Sequence, residues 1–373
     1  MNSSNISIPH LSTIEAAVFG SLFLFLTVIG CCGNLLVILA ISSDIKMRKS
    51  AMNLLLLNLA VADLGNLLFC VQEWVQPVYN RGPAWLMAEP LCAMLRYMEV
   101  GFLFTSLLTQ VAVCIERFIA IVFPMQIRLI QGRCRVMLVS VCLWSFAFVF
   151  ALPYALYHNV VHGKAAHCIL TMVHQHPKTY LLYKYIECLL FYFLPLLIIV
   201  ALYGRVSCVL WSKNQDLHEG RGNRQDTSES LKVRKSVVKM LIGCVAVYFV
   251  CYSPIQAQFI SKALFGHRVG MPYRVSLLLN ALAVGCSACN PLMYTLFSQK
   301  FRTKFVELIC CRREENDKRP SMTGFSENYQ SRYALTTAAE RSSRRPAQSN
   351  LKPSETVCLL DSNVARNRQT SAF

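Results

Sequence analysis

Charge is scarce in this chain. Asp, Glu, Lys and Arg make up 15% of the 373 residues, and only 20 of those are acidic. A soluble domain of this size needs more charged surface, so that class is excluded unless the 54% of apolar residues is gathered into separate segments. The amino terminus lacks the basic start of a cleavable leader, and the first apolar run is too long for one, so it reads as an uncleaved span. No inverted repeat or series of pore-lining charges appears, which disfavours transporters and channels. No catalytic constellation is present either, so the chain does not read as an enzyme.

What is present is a set of long apolar runs. Windows of about 20 residues, enough to cross ~30 Å of hydrocarbon as helix, place spans at 16–41, 52–77, 91–122, 135–157, 180–211, 237–264 and 273–297. Only helices or closed barrels satisfy their backbone groups in lipid, and runs this long are not barrel strands. The fold class is an all-α membrane protein, a seven-transmembrane helix bundle. Residues 1–15 form a leader, 16–298 the bundle, 299–311 a short amphipathic helix and 312–373 a polar tail expected to be disordered. In the short helix, Phe301, Phe305, Leu308 and Ile309 recur at helical spacing among Lys300, Arg302 and Lys304, the pattern of a helix lying on a membrane surface. Cys310 and Cys311 follow as palmitoylation candidates.

Cations set the orientation. Lys46, Arg48 and Lys49 follow the first span, Arg128, Arg133 and Arg135 the third, and Lys232, Arg234, Lys235 and Lys239 precede the sixth, so these loops are cytoplasmic. Arg81, Lys164 and Arg268 on the other side are sparser. The amino terminus is then outside, where Asn2 and Asn5 stand in glycosylation sequons, and the tail is inside. The net charge of +17 sits in cytoplasmic loops and tail, where anionic lipid is a simpler partner than nucleic acid. Of 17 cysteines, Cys92 and Cys168 are the two clearly placed on the oxidising side, which points to a disulfide pinning the second outer loop.

Ordered motifs occupy the spans: Gly33 and Asn34 in the first, NLAVADL (Asn58 to Leu64) in the second, Cys92 and ERF (Glu116 to Phe118) in the third, and Trp144 in the fourth. Pro195 and Tyr203 follow in the fifth, CYSP (Cys251 to Pro254) in the sixth, and NPLMY (Asn290 to Tyr294) in the seventh. Over about residues 16 to 310 the chain resembles the rhodopsin-like class of G protein-coupled receptors. That resemblance implies a plasma-membrane receptor that activates heterotrimeric G proteins by outward movement of the sixth helix, with arrestin and a receptor kinase as further partners. It places Asp63, Ser106, Ser287 and Asn290, beside Asn34, around a sodium ion; the alternative is a protonated Asp63 bonded to Asn290 without an ion. It assigns Glu116 and Arg117 a charge pair that breaks on activation, with Tyr203 and Tyr294 swinging inward, against the alternative of an arginine snorkelling to headgroups.

Pro254 removes a backbone donor and kinks the sixth helix, and Pro291 lies in the seventh-span motif. Three positions depart from the family's pattern: Tyr252 stands where tryptophan is usual, Tyr248 where phenylalanine is usual, and Phe118 where tyrosine is commoner. Buried phenols need hydrogen-bond partners, so the switch in this chain differs in detail.

Three acids enter the outer half: Glu73, Glu99 and Glu187. Glu99 lies 18 residues before Arg117, five turns at about 3.6 residues each, and shares its helix face. It reads as a counterion for a basic group, or as a partner of Arg96 three residues earlier. An aminergic receptor is the alternative, because that group carries aspartate at the matching position. Against it, the fifth span lacks the serines that meet ligand hydroxyls, and Ile255 and Gln256 replace stacking aromatics. Gln256 and Asn280, with further amides, suit an extracellular peptide, and the sequence into the sixth span and after the seventh is similar to orexin and thyrotropin-releasing-hormone receptors. Val284 stands where opsins carry the retinal lysine. Ser371, Ala372 and Phe373 match the terminal pattern read by PDZ domains.

Overall fold

Several helices begin where the sequence supplies a cap or an early proline. The Ser12 side chain accepts the Glu15 backbone N–H while Glu15 reaches back to the Ser12 N–H, a capping box that starts the first helix at Thr13. Asp44 caps a short turn, Ile45–Arg48, between the first and second spans. Pro90 and Pro177 sit in the first turns of the third and fifth, where a missing N–H costs nothing. These caps explain why the first and fifth helices start at Thr13 and Pro177, each three residues before the apolar run read from the sequence. The second helix closes on Arg81, whose φ of 56° is left-handed, and its carbonyl accepts the Leu11 N–H at 2.7 Å.

The computed structural model describes residues 10–123, 132–163, 165–218, 224–265 and 272–310, without the side chains of 210–235, 237 and 262–265. Among the described residues seven helices are long and apolar enough to cross a membrane: Thr13–Ser43, Ala51–Asn80, Glu89–Val122, Arg133–Tyr157, Pro177–Val209, Val238–Ser261 and Tyr273–Phe297. They are called the first to seventh spans below. Large apolar side chains such as Phe25, Leu138 and Val200 face outward, whereas Asn34, Asp63, Thr105, Ser106 and Thr109 are buried. That inversion of the soluble pattern is what lipid as solvent demands. The second and seventh spans are the most buried and the fourth the least, so the core lies along the second, third and seventh.

Close approach of the first and seventh spans depends on two glycines. A Cβ on Gly30 would stand 2.7 Å from Leu67 and 3.0 Å from Ala288, and one on Gly33 2.9 Å from Pro291. The fifth span is interrupted by a π turn, Leu189–Phe193, in which the Leu194 N–H bonds the Leu189 carbonyl. Between the fourth and fifth spans an antiparallel hairpin forms from β1, His158–His162, and β2, Ala166–Leu170, with Val160 opposite Cys168. Cys168 is joined to Cys92 at the start of the third span, and the Trp85 N–H donates to the Ala166 carbonyl at 2.7 Å.

After the seventh span comes an 11-residue helix, Gln299–Ile309. Phe301 and Phe305 pack into the bundle, Phe301 against Tyr294, while Ile309 is exposed. The apolar stripe read from the sequence is thus divided between the bundle and the outer surface. Asn2, Asn5, Arg128, Lys164, Arg268, Cys311 and the tail from 312 onward lie outside the described residues.

Candidate functional site

Polar residues gather at three depths. In the middle, Asp63 is fully buried and its two carboxylate oxygens accept from Ser106 Oγ at 2.6 Å and Asn290 Nδ2 at 2.7 Å. Ser287 Oγ accepts from Asn66 at 3.2 Å, and Asn34 Nδ2 donates to the backbone carbonyls of Gly30 and Ser287. The second, third and seventh spans thus meet at one carboxylate, with the first beside it. Among the described residues Asp63 has no cationic partner, and Asn34 Oδ1 is buried without a donor. Carboxylate, hydroxyl and amide oxygens are the donor set that a hard monovalent cation accepts, so these residues fit a sodium ion.

At the end of the third span remote from the disulfide, Glu116 is buried and grips Arg117 through both carboxylate oxygens. Such a two-pronged pair fixes the guanidinium plane. Tyr203 donates to Cys114 Sγ at 3.2 Å, and Tyr294 is buried against Phe301 with its hydroxyl unpartnered among the described residues. Pro254 lies inside the sixth helix and Pro291 inside the seventh.

At the disulfide end two clusters form. Arg96 ion-pairs with Glu73 and stands 3.4 Å from Glu99, and Gln72 Nε2 donates to both carboxylates at 2.6 and 3.3 Å. Two carboxylates share one guanidinium, and Arg96 Nε is buried without a partner among the described residues. Sequence spacing pointed to the Arg96–Glu99 contact; the ion pair with Glu73 joins different helices, which spacing does not reveal. The second cluster belongs to the fourth and fifth spans. Lys184 Nζ donates to Glu187 Oε1 at 2.7 Å and to the Tyr154 hydroxyl at 2.5 Å, and Tyr154 donates to Glu187 Oε2 at 2.9 Å. Its charges balance. A cavity of about 220 Å³ opens beside it, lined by Lys184, Glu187, Tyr180, Gln256, Gln258 and Phe259. Asn280 is half-buried in the seventh span and does not line this cavity.

A family model for the seven-transmembrane receptors of the rhodopsin family matches residues 33–294. The chain belongs to that family. Among its relatives, Neuropeptide receptor 15 of Caenorhabditis elegans is 46% identical over 78% of this chain and 89% of its own length. The Allatostatin-A receptor of Bombyx mori is 29% identical over 82% and 83%, and Galanin receptor 2b of Danio rerio 26% over 80% and 76%.

Within this rhodopsin-family receptor, several site residues escaped the sequence reading. Tyr154 carried no signal, because a tyrosine near a span end is ordinary anchoring. Asn58 and Trp144 were read as motif positions without partners; Asn58 joins Trp144 Nε1, at 2.7 Å, to Thr109 Oγ1, at 2.8 Å, tying the second, third and fourth spans. His158 at the base of β1 places Nδ1 3.0 Å from the Tyr154 carbonyl. Burial and then the positive charge of Arg96 push its pKa down to about 4, so it is neutral at pH 7.

Proposed function

We propose that this receptor sits in the plasma membrane with its amino terminus outside, binds an extracellular neuropeptide between the disulfide-end clusters, and passes the signal to a heterotrimeric G protein at Arg117. The observation that carries the ligand class is the Glu73–Arg96–Glu99 group, where one internal cation serves two carboxylates. A basic side chain or terminal amine of the ligand supplies the second cation, with Glu99 as its main counterion and Glu73 and Glu187 as further acidic contacts. Gln256 and Asn280 offer amides to the peptide backbone. The relatives, named as neuropeptide, allatostatin and galanin receptors, favour a peptide over a biogenic amine.

In this reading Asp63, Ser106, Ser287 and Asn290 hold a sodium ion, whose charge compensates the buried carboxylate. On activation Glu116 releases Arg117, Tyr203 and Tyr294 rearrange, and the sixth helix moves outward about Pro254 with Tyr252 beside it, while the seventh adjusts at Asn290 and Pro291. Asn2 and Asn5 carry glycans, Cys310 and Cys311 palmitoyl chains, and the tail serves a receptor kinase, arrestin and a PDZ protein.

The test uses a peptide agonist with one basic side chain and its neutral analogue. Glu99→Gln nearly preserves shape and removes a charge-assisted bond of roughly 1.5 to 3 kcal/mol, about one to two decades in potency. The basic peptide loses that much and the neutral analogue does not. Equal loss for both, with reduced surface expression, makes Glu99 a structural partner of Arg96 instead.

A further inference from the structure

We propose that Tyr248 is a positioning residue that holds the sixth span against the fifth at rest, through a backbone carbonyl left without a helical donor by Pro195. In an α-helix the carbonyl of residue i accepts from the N–H of residue i+4. For Phe191 that residue is Pro195, which has no N–H. The π turn over Leu189–Phe193 marks the same break in register. Lipid offers no water to such a carbonyl, so the donor must come from the protein. Tyr248 supplies it: its hydroxyl donates to the Phe191 carbonyl at 2.7 Å, with both residues buried.

The hydroxyl is what matters, because phenylalanine, usual at this position in rhodopsin-like receptors, could fill the space between Phe191 and Tyr252 but could not donate. A second hydroxyl link supports the contact. Ser253 Oγ donates its proton to the Phe249 carbonyl, so Tyr192, 2.6 Å away in the fifth span, is the donor to Ser253. Tyr248 lies six residues from Pro254 on the side of the sixth helix that moves outward. The Tyr248 bond is present together with the Glu116–Arg117 pair, the arrangement assigned to the resting receptor. Outward movement draws the hydroxyl from the carbonyl, so the bond weights the equilibrium toward rest.

The experiment measures agonist-independent nucleotide exchange on a panel of G protein heterotrimers, using membranes with the full chain at matched surface density. One buried neutral hydrogen bond corresponds to roughly a two- to ten-fold change in population. Tyr248→Phe therefore raises exchange per receptor by that factor on at least one heterotrimer. Pro195→Ala restores an N–H at residue 195, and in that background Tyr248→Phe adds much less. Basal exchange per receptor that is unchanged or lower in Tyr248→Phe overturns the proposal, as does an equal rise in both backgrounds. A merely structural hydroxyl would lower surface density and leave exchange per receptor unmoved. If Pro195→Ala does not reach the surface, the single variant decides alone.

Discussion

His158 shows how one residue ties the disulfide-end clusters to folding. Its neutral ring donates from Nδ1 to the Tyr154 carbonyl, and protonation would place a third cation near Arg96 and Lys184. The folded pKa is about 4 against a usual 6.5. Between these values the unfolded chain binds a proton that the folded chain refuses, so stability is full above pH 6.5 and is lost as pH falls toward 4. The melting temperature of purified receptor therefore falls from pH 7 to pH 5, and His158→Gln flattens that slope. Parallel slopes for the two proteins would remove His158 from the balance. At this scale the sequence announced individual groups but not their partners. Glu73, Glu99 and Glu187 stood out because acids are costly within spans, yet spacing, which pointed to Arg96 for Glu99, did not say that Arg96 also joins Glu73 or that Tyr154 joins Glu187.

The central carboxylate is a property of elements, since Asp63, Ser106 and Asn290 come from three spans. If an ion bound there belongs to the resting arrangement of those helices, sodium stabilises that arrangement and lowers agonist affinity, and the coupling is reciprocal. Radioligand competition in sodium and in potassium at equal ionic strength should separate in the native receptor and coincide in Asp63→Asn. Coincident curves in the native receptor favour a protonated Asp63 without an ion. The helices themselves were legible, because long apolar runs have one solution in lipid. Their ends were less so: Ser12 and Glu15 extend the first helix through polar residues that a hydropathy window discards. The hairpin was not legible at all. HNVVH and AHCIL show little alternation, and the Cys92–Cys168 bond and the Trp85 N–H on Ala166 that anchor β2 are both long-range. The π turn left one trace, a proline four residues after Phe191.

Across the bundle, an acidic mouth, a polar centre and an arginine at the far end are joined through its most buried helices, which carry all three. The ordered motifs named polar residues at the centre and at the far end, although each central group draws on several spans. They did not reveal how the mouth is divided, because ligand-facing residues follow the partner rather than the fold. The most direct measurement is nucleotide exchange on G protein heterotrimers by the full chain in lipid nanodiscs, challenged with amidated and basic neuropeptides and, separately, with monoamines. The expected result is that a peptide accelerates exchange in the native receptor, that Arg117→Ala still binds that peptide yet loses most of the acceleration, and that monoamines are inert. Exchange driven by a monoamine and by no peptide, or full acceleration in well-expressed Arg117→Ala, would contradict it.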